Sequence, residues 1–211
     1  MTAPRCVGVL LAGGAARRFS GMPKGLALVD GLRIADRVLA ALRRATDLQV
    51  VVANDARAPF WFPGMRIVRD TEEGLGPLHG LRTALIAAEG QPLIVVAWDM
   101  PFVTAALLEH MRALGETGMS AVIPTPGAPA SAEPLCAYYA PEALAVCERL
   151  LAEGERRAGA LHDALPAVRR LGASELAALG DPTRLLLSVD TLSDLVALGG
   201  RLPDGEDTAR R

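Results

Sequence analysis

The stretch Cys6-Val7-Gly8-Val9-Leu10-Leu11-Ala12-Gly13-Gly14-Ala15-Ala16-Arg17-Arg18-Phe19-Ser20-Gly21-Met22-Pro23-Lys24 decides the fold. Its first half, Cys6–Leu11, is a continuous apolar run with no period-2 alternation, the pattern of a strand covered on both faces. Two adjacent glycines then end it. They permit backbone conformations in which successive N–H groups converge on an anion. Arg17, Arg18 and Lys24 follow within eleven residues of the glycines and supply charge for phosphate oxygens. Arg17 is the more solvated of these cations in this reading, and Arg18 and Lys24 the ones that meet phosphate. The loop is not a P-loop, because Lys24 is followed by Gly25 and the glycine spacing is wrong. It is not a G-x-G-x-x-G dinucleotide turn either.

Working outward, strand and helix patterns alternate. Ile34–Ala45 carries Ile34, Val38, Leu39 and Leu42 at helical spacing. Gln49–Ala53 and Arg66–Val68 read as strands, and Gly76–Ala88 as a helix entered through Pro77. Leu93–Ala97 is an all-apolar central strand, followed by Thr104 as N-cap of a helix over Ala105–Gly115. Ala121–Ile123 and Leu135–Tyr139 are strands joined by a Pro/Gly/Ala-rich loop, Pro124–Pro134. Helices over Pro141–Ala152 and Arg156–Leu165, strands at Val168–Leu171 and Leu185–Val189, and a helix at Thr191–Leu198 capped by Thr191 complete the pattern. Residues 202–211 are polar and aperiodic, the composition of a disordered tail. The reading is one domain over residues 1–201, an α/β three-layer αβα arrangement with a mostly parallel sheet. In such sheets ligands sit beyond the carboxyl ends of the strands. Asp70 and Asp99 each stand just past one strand end, and Asp190 past another.

The chain has 211 residues, 51% hydrophobic and 22% charged, with a net charge of -2. That balance argues against nonspecific nucleic-acid binding, which needs a basic surface. Apolar runs such as Val7–Ala12 and Leu93–Trp98 are far shorter than the ~20 residues of a membrane helix. Met1–Leu11 makes a poor signal peptide, so a cytoplasmic location is expected. The three cysteines have no C-x-x-C spacing and read as buried free thiols.

Leu11–Lys24 resembles the signature L-A-G-G-x-x-R-R-[MF]-x-G-x-x-K of the molybdenum cofactor guanylyltransferases, the MobA-like NTP transferase family. Further segments resemble that family in the same order: Arg69-Asp70, Gly76-Pro77-Leu78, Trp98-Asp99-Met100-Pro101, Glu133-Pro134-Leu135, Gly154-Glu155-Arg156-Arg157 and Ser188-Val189-Asp190-Thr191. The resemblance implies a Rossmann-like nucleotidyltransferase fold. It also implies transfer of GMP from GTP to the terminal phosphate of molybdopterin, with release of pyrophosphate. The implied nucleotide-binding residues are Leu11, Ala12, Gly13, Gly14, Lys24, Asp70 and Asp99. Lys24, Arg18 and Asp99 are implied as catalytic, and Asp99 and Asp190 as ligands of Mg2+, or of Mn2+ in its place. Pro134, Leu135 and Arg156 are implied on the acceptor side, and other molybdenum-cofactor proteins as partners. Asp190 and Ser188 stand where the family usually has Asn. Three alternatives stay open at this point: CTP as donor, a sugar or polyol phosphate as acceptor, and a nucleotide-binding module without catalysis.

Overall fold

A computed structural model describes residues 5–13, 19, 22–70, 76–128, 131–181 and 183–203. Its centre is a sheet of seven strands: β1 (Val7–Leu11), β4 (Leu48–Val52), β5 (Arg66–Val68), β6 (Leu93–Ala97), β7 (Ala121–Pro124), β8 (Cys136–Tyr139) and β9 (Val168–Leu171). Their spatial order is β5-β4-β1-β6-β8-β7-β9, and only β8 runs against its neighbours. β1 lies between β4 and β6, with Val9 opposite Val50 on one side and Val95 on the other. All five residues of β1 and of β6 are buried, as their uninterrupted apolar runs require.

Period-2 alternation sends these side chains to opposite faces. Leu10, Val51, Ile94 and Val96 join Val38, Leu39 and Leu42 of α1 (Ile34–Ala45) and Leu107, Leu108 and Met111 of α4 (Ala105–Gly115). Val9, Leu11, Val50 and Val95 join Leu78, Leu81 and Leu85 of α3 (Pro77–Ala87), Cys147 of α5 (Ala143–Ala152) and Leu161 of α6 (Gly159–Ala164). The result is the three-layer arrangement with helices on both faces of the sheet. Thr104 caps α4 by accepting from the Leu107 N–H at 3.2 Å. Cys6, Cys136 and Cys147 are free and buried, and burial pushes the thiols of Cys6 and Cys147 up to about 12.

The structure differs from the sequence reading in several places. Leu185–Val189 is not a strand. The Leu185 N–H is taken by Asp181 O at 2.8 Å and that of Leu187 by Arg184 O at 2.9 Å. These N–H groups close turns, so they have no sheet partner. The helix expected over Arg156–Leu165 starts three residues later, at Gly159, and that over Pro141–Ala152 starts at Ala143. Gly25 to Arg33, read as nothing regular, holds a hairpin of β2 (Leu28–Val29) and β3 (Leu32–Arg33). Its turn is Asp30-Gly31, with φ of 50° and 77°, the paired positive values of a type I′ hairpin. Two short helices were also missed, α2 (Ala58–Trp61) and α7 (Ala173–Ala177). The last helix, α8 (Leu192–Ala197), begins with a full capping box between Thr191 and Asp194. Leu202 packs against the small cluster around Phe19, Ile34 and Leu195, and residues 204–211 lie outside the described residues. No described helix is long and apolar enough to cross a membrane.

Candidate active site

β1, β4 and β6 end side by side, and a cleft of about 420 Å³ opens beyond their carboxyl ends. Leu11, Val52 and Ala97 form its floor, Gly76, Pro77 and Gly80 of the α3 entrance one wall, and Leu135 another. Gly13 and Asp99 also line it. Ala12 is buried and tied to β4 by its N–H, which donates to Val52 O at 2.8 Å. Gly14 and Arg18, expected in the same loop, lie outside the described residues.

At the β4–β5 side, Asn54 and Asp70 bond reciprocally. Asn54 Nδ2 donates to Asp70 Oδ2 at 3.1 Å, and the Asp70 N–H donates to Asn54 Oδ1 at 2.8 Å. The second carboxylate oxygen, Asp70 Oδ1, is buried and has no partner among the described residues. That oxygen therefore lacks the hydrogen bond that buried polar groups normally have. Asn54 was not singled out from the sequence. It stands two residues past the end of β4, so the same strand-end rule that drew attention to Asp70 and Asp99 covers it.

Asp99, which lines the cleft, belongs to a cluster of three charges that the chain brings from far apart. Lys24 sits at the start of a single 3-10 turn, Lys24–Leu26. Its Nζ lies 2.5 Å from Asp190 Oδ1 and 3.4 Å from Asp99 Oδ2. Asp99 stands two residues past the end of β6, and its carbonyl accepts the Val189 N–H at 2.9 Å, which draws the 188–190 segment alongside it. The Asp190 N–H donates to Asp194 Oδ2 at 3.0 Å, so the capped start of α8 fixes Asp190 in turn. The turn after Asp99 is fastened by Arg37, whose Nε donates to Pro101 O at 2.9 Å. The ring of Phe102 has the guanidiniums of Arg37 and Arg184 at 5.7 and 3.8 Å from its centroid.

Burial pushes the Asp99 carboxyl above its usual range against the pull of the Lys24 ammonium, and the Asp190 charge adds to the rise. Burial likewise raises Glu133, which accepts the Leu135 N–H at 3.2 Å and feels the charges of Asp99 and Asp190. A cation at this place relieves all three carboxylates. Among the described residues, no group of three or more His, Cys, Asp or Glu is arranged to hold a metal ion. The carboxylates of Asp99 and Asp190, which share Lys24 Nζ, are the candidate protein donors. These hard oxygens fit Mg2+, which is commonly held by one or two carboxylates with substrate phosphates and water completing the shell.

The residues expected on the acceptor side separate. Leu135 lines the cleft, while the Pro134 carbonyl accepts the Tyr139 hydroxyl at 3.0 Å. The Arg156 guanidinium donates to Glu155 O at 2.8 Å and Leu151 O at 3.3 Å. Arg156 meets the cleft wall through its backbone instead, since its carbonyl accepts the Leu78 N–H at 3.2 Å. Gly76, at φ 100°, allows that approach, because a Cβ there would stand 3.1 Å from Arg156 O. Arg157 is paired with Glu155, whose carboxyl it holds down to about 2.

Comparisons with known proteins agree with this fold. Residues 8–168 match the MobA-like NTP transferase domain. A "Probable molybdenum cofactor guanylyltransferase" of Chloroflexus aggregans is 35% identical over 195 residues, covering 89% of this chain and 90% of that protein. The molybdenum cofactor guanylyltransferase of Desulfosudis oleivorans is 30% identical over 190 residues, covering 89% and 91%. The crystal structure of molybdopterin-guanine dinucleotide biosynthesis protein A from Archaeoglobus fulgidus superposes with a TM-score of 0.75 at 26% identity, over 91% of this chain and 96% of that one. A domain match over residues 8–168 and relatives at 30–35% identity that span nearly the whole chain show that this chain is an enzyme of the MobA-like NTP transferase family.

Proposed function

We propose that the enzyme transfers GMP from GTP to the terminal phosphate of molybdopterin. An acceptor phosphate oxygen attacks the α-phosphorus, the bond from that phosphorus to the bridging oxygen of the β-phosphate breaks, and pyrophosphate leaves. The attacking phosphate is already anionic, so no general base is required. The observation that carries the reading is the Lys24–Asp99–Asp190 cluster at the mouth of the strand-end cleft. Charge on the transferring phosphoryl oxygens is what such a site has to stabilise.

In this reading Lys24 holds the phosphates, with Arg18 and the Gly13-Gly14 backbone from the same loop. Asp99 and Asp190 hold Mg2+, or Mn2+ in its place. Bound there, the ion neutralises phosphate charge and favours departure of pyrophosphate. With Asp99 and Asp190 so engaged, the Lys24 ammonium, which bridges the two carboxylates here, would be available to the triphosphate. Asp70 Oδ1 takes donors from the base edge, with Leu11–Gly13 backbone groups beside it. Guanine offers N1–H and N2–H₂ together, and cytosine lacks that pair. The acceptor lies along Pro134, Leu135 and Arg156. A cytoplasmic location, a single domain over residues 1–201 and hand-over from other molybdenum-cofactor proteins complete the proposal. Incubation with GTP, Mg2+ and molybdopterin tests it: release of pyrophosphate together with a guanine dinucleotide product supports it. Pyrophosphate release that depends instead on a sugar or polyol phosphate rejects it.

A further inference from the structure

Trp98 immediately precedes Asp99 and is only 4% exposed. Its backbone is fixed at the end of the sheet, where its N–H donates to Leu11 O at 3.1 Å. Its indole ring lies directly under the turn that carries Lys24. A Cβ built on Gly25 would stand 2.4 Å from Cε3, 2.6 Å from Cδ2 and 2.9 Å from Cγ of that ring. No residue but glycine fits there, because the obstacle is a flat, wedged ring and not the end of a flexible chain. Trp61 braces the ring from another direction, with centroids 6.2 Å apart and planes tilted by 32°, and the Arg57 guanidinium lies over Trp61 at 5.1 Å. The indole Nε1–H has no acceptor among the described residues.

We infer that Trp98 is a positioning residue for the reaction: its ring is the platform on which Gly25 rests, and it sets the height of Lys24 between Asp99 and Asp190. The inference rests on the role proposed for Lys24. One residue thereby links two parts of the site through a rigid contact. Its backbone leads into the carboxylate of Asp99, and its side chain supports the ammonium that meets that carboxylate. The sequence segment Lys24-Gly25 and the segment Trp98-Asp99 form a matched pair, in which a bulky ring in one requires the absence of a side chain in the other. A displacement of Lys24 by a fraction of an ångström acts on the developing phosphate charge more than on ground-state binding.

The test is a double-mutant cycle on steady-state pyrophosphate release, with thermal melts to confirm folding. Gly25→Ala is expected to lower kcat by about 10-fold or more while KM for GTP changes less than about 3-fold. Trp98→Leu removes the platform and also lowers kcat, whereas Trp98→Phe keeps an aromatic floor and recovers part of the loss. In Gly25→Ala/Trp98→Leu the combined loss falls well short of the product of the two, because the added methyl no longer meets a ring. Losses that multiply, or that fall on KM alone, overturn the inference. A second readout does not use turnover. The chain has two tryptophans, so Trp61→Phe leaves Trp98 as the single reporter. Its emission is expected to shift on titration with GTP and Mg2+, and to stay unchanged in Trp61→Phe/Lys24→Ala. No shift in the Lys24-containing protein counts against the contact. A shift without any molybdopterin-dependent turnover instead rejects the proposed function and leaves the contact standing.

Discussion

Replacing Asp99 by Asn separates what the site does from what holds the fold. The side chain is 16% exposed, and its carboxylate meets Lys24 Nζ at 3.4 Å. The contact that anchors the 188–190 segment runs through the Asp99 backbone carbonyl, so Asn keeps it. In the proposed mechanism what is lost is one anionic ligand of Mg2+, which leaves Asp190 as the remaining carboxylate of the pair. Loss of a charge that stabilises the transition state is worth about 2.7 kcal/mol or more, on the order of 10²-fold in rate. Stability is expected to move the other way. Burial favours the protonated Asp99 carboxyl, so its folded-state value lies above the ordinary 3.8. A group shifted upward contributes stability fully below its unfolded value and loses that contribution as pH rises through its folded value. Above that raised value the native enzyme carries an ionised carboxylate whose burial costs stability, and the Asn variant does not. Asp99→Asn should melt at the same temperature as the native enzyme or higher at pH 7, and this advantage should vanish toward pH 3. The assays are pyrophosphate release at saturating Mg2+ and thermal melts across pH. Near-native turnover in the variant, or a melting temperature well below native at pH 7, would refute the reasoning.

Lys24→Ala is expected to lower kcat/KM by about 10²–10³-fold, the usual loss when a preorganised charge donor is removed; an equal loss in Arg17→Ala means the wrong cation has been placed against the phosphates. Asp190→Asn is expected to raise the Mg2+ concentration needed for half-maximal rate several-fold while leaving turnover at saturating Mg2+ measurable, and an unchanged Mg2+ titration removes Asp190 from the ligand set. Thr191→Ala breaks the capping box of α8 and is expected to destabilise the protein by about 1 kcal/mol in urea unfolding. Because the Thr191 hydroxyl holds the Asp194 carboxyl below its ordinary value, the stability Asp194 contributes is present above pH 3.8 and is lost as pH falls through the lowered value.

Elements with a strong local signal were legible in the sequence. β1 and β6 are unbroken apolar runs, α1 was read with its observed bounds, and Thr104 and Thr191 cap the helices they were expected to cap. The hairpin at Asp30-Gly31 also carried a signal, a turn dipeptide flanked by Leu28-Val29 and Leu32, but its strands are two residues each and fall below the length at which periodicity speaks. Leu185–Val189 misled because an apolar run looks the same whether its N–H groups find a sheet or close turns, and here turns from Asp181 and Arg184 take them first. The site divides in the same way. That Asp70 and Asp99 stand just past strand ends follows from the pattern. That Lys24 bridges Asp99 and Asp190, a partner 166 residues away, depends on where the 188–190 segment docks. Arg156 shows the limit most clearly, since its segment does border the cleft, yet it meets the wall through a carbonyl and its guanidinium turns to backbone oxygens instead.

The proposed base recognition turns on Asp70 Oδ1, a buried anionic acceptor at the cleft with no partner among the described residues. Guanine presents two adjacent donors there, whereas cytosine sets one donor, N4–H₂, beside the N3 acceptor; a missing donor and an acceptor facing the carboxylate cost ~1–3 kcal/mol each, which gives at least about 30-fold discrimination. Steady-state kcat/KM for GTP and for CTP with the same molybdopterin acceptor and Mg2+ measures this directly. The account predicts a preference for GTP of about 30-fold or more; parity between the two nucleotides, or a preference for CTP, contradicts it.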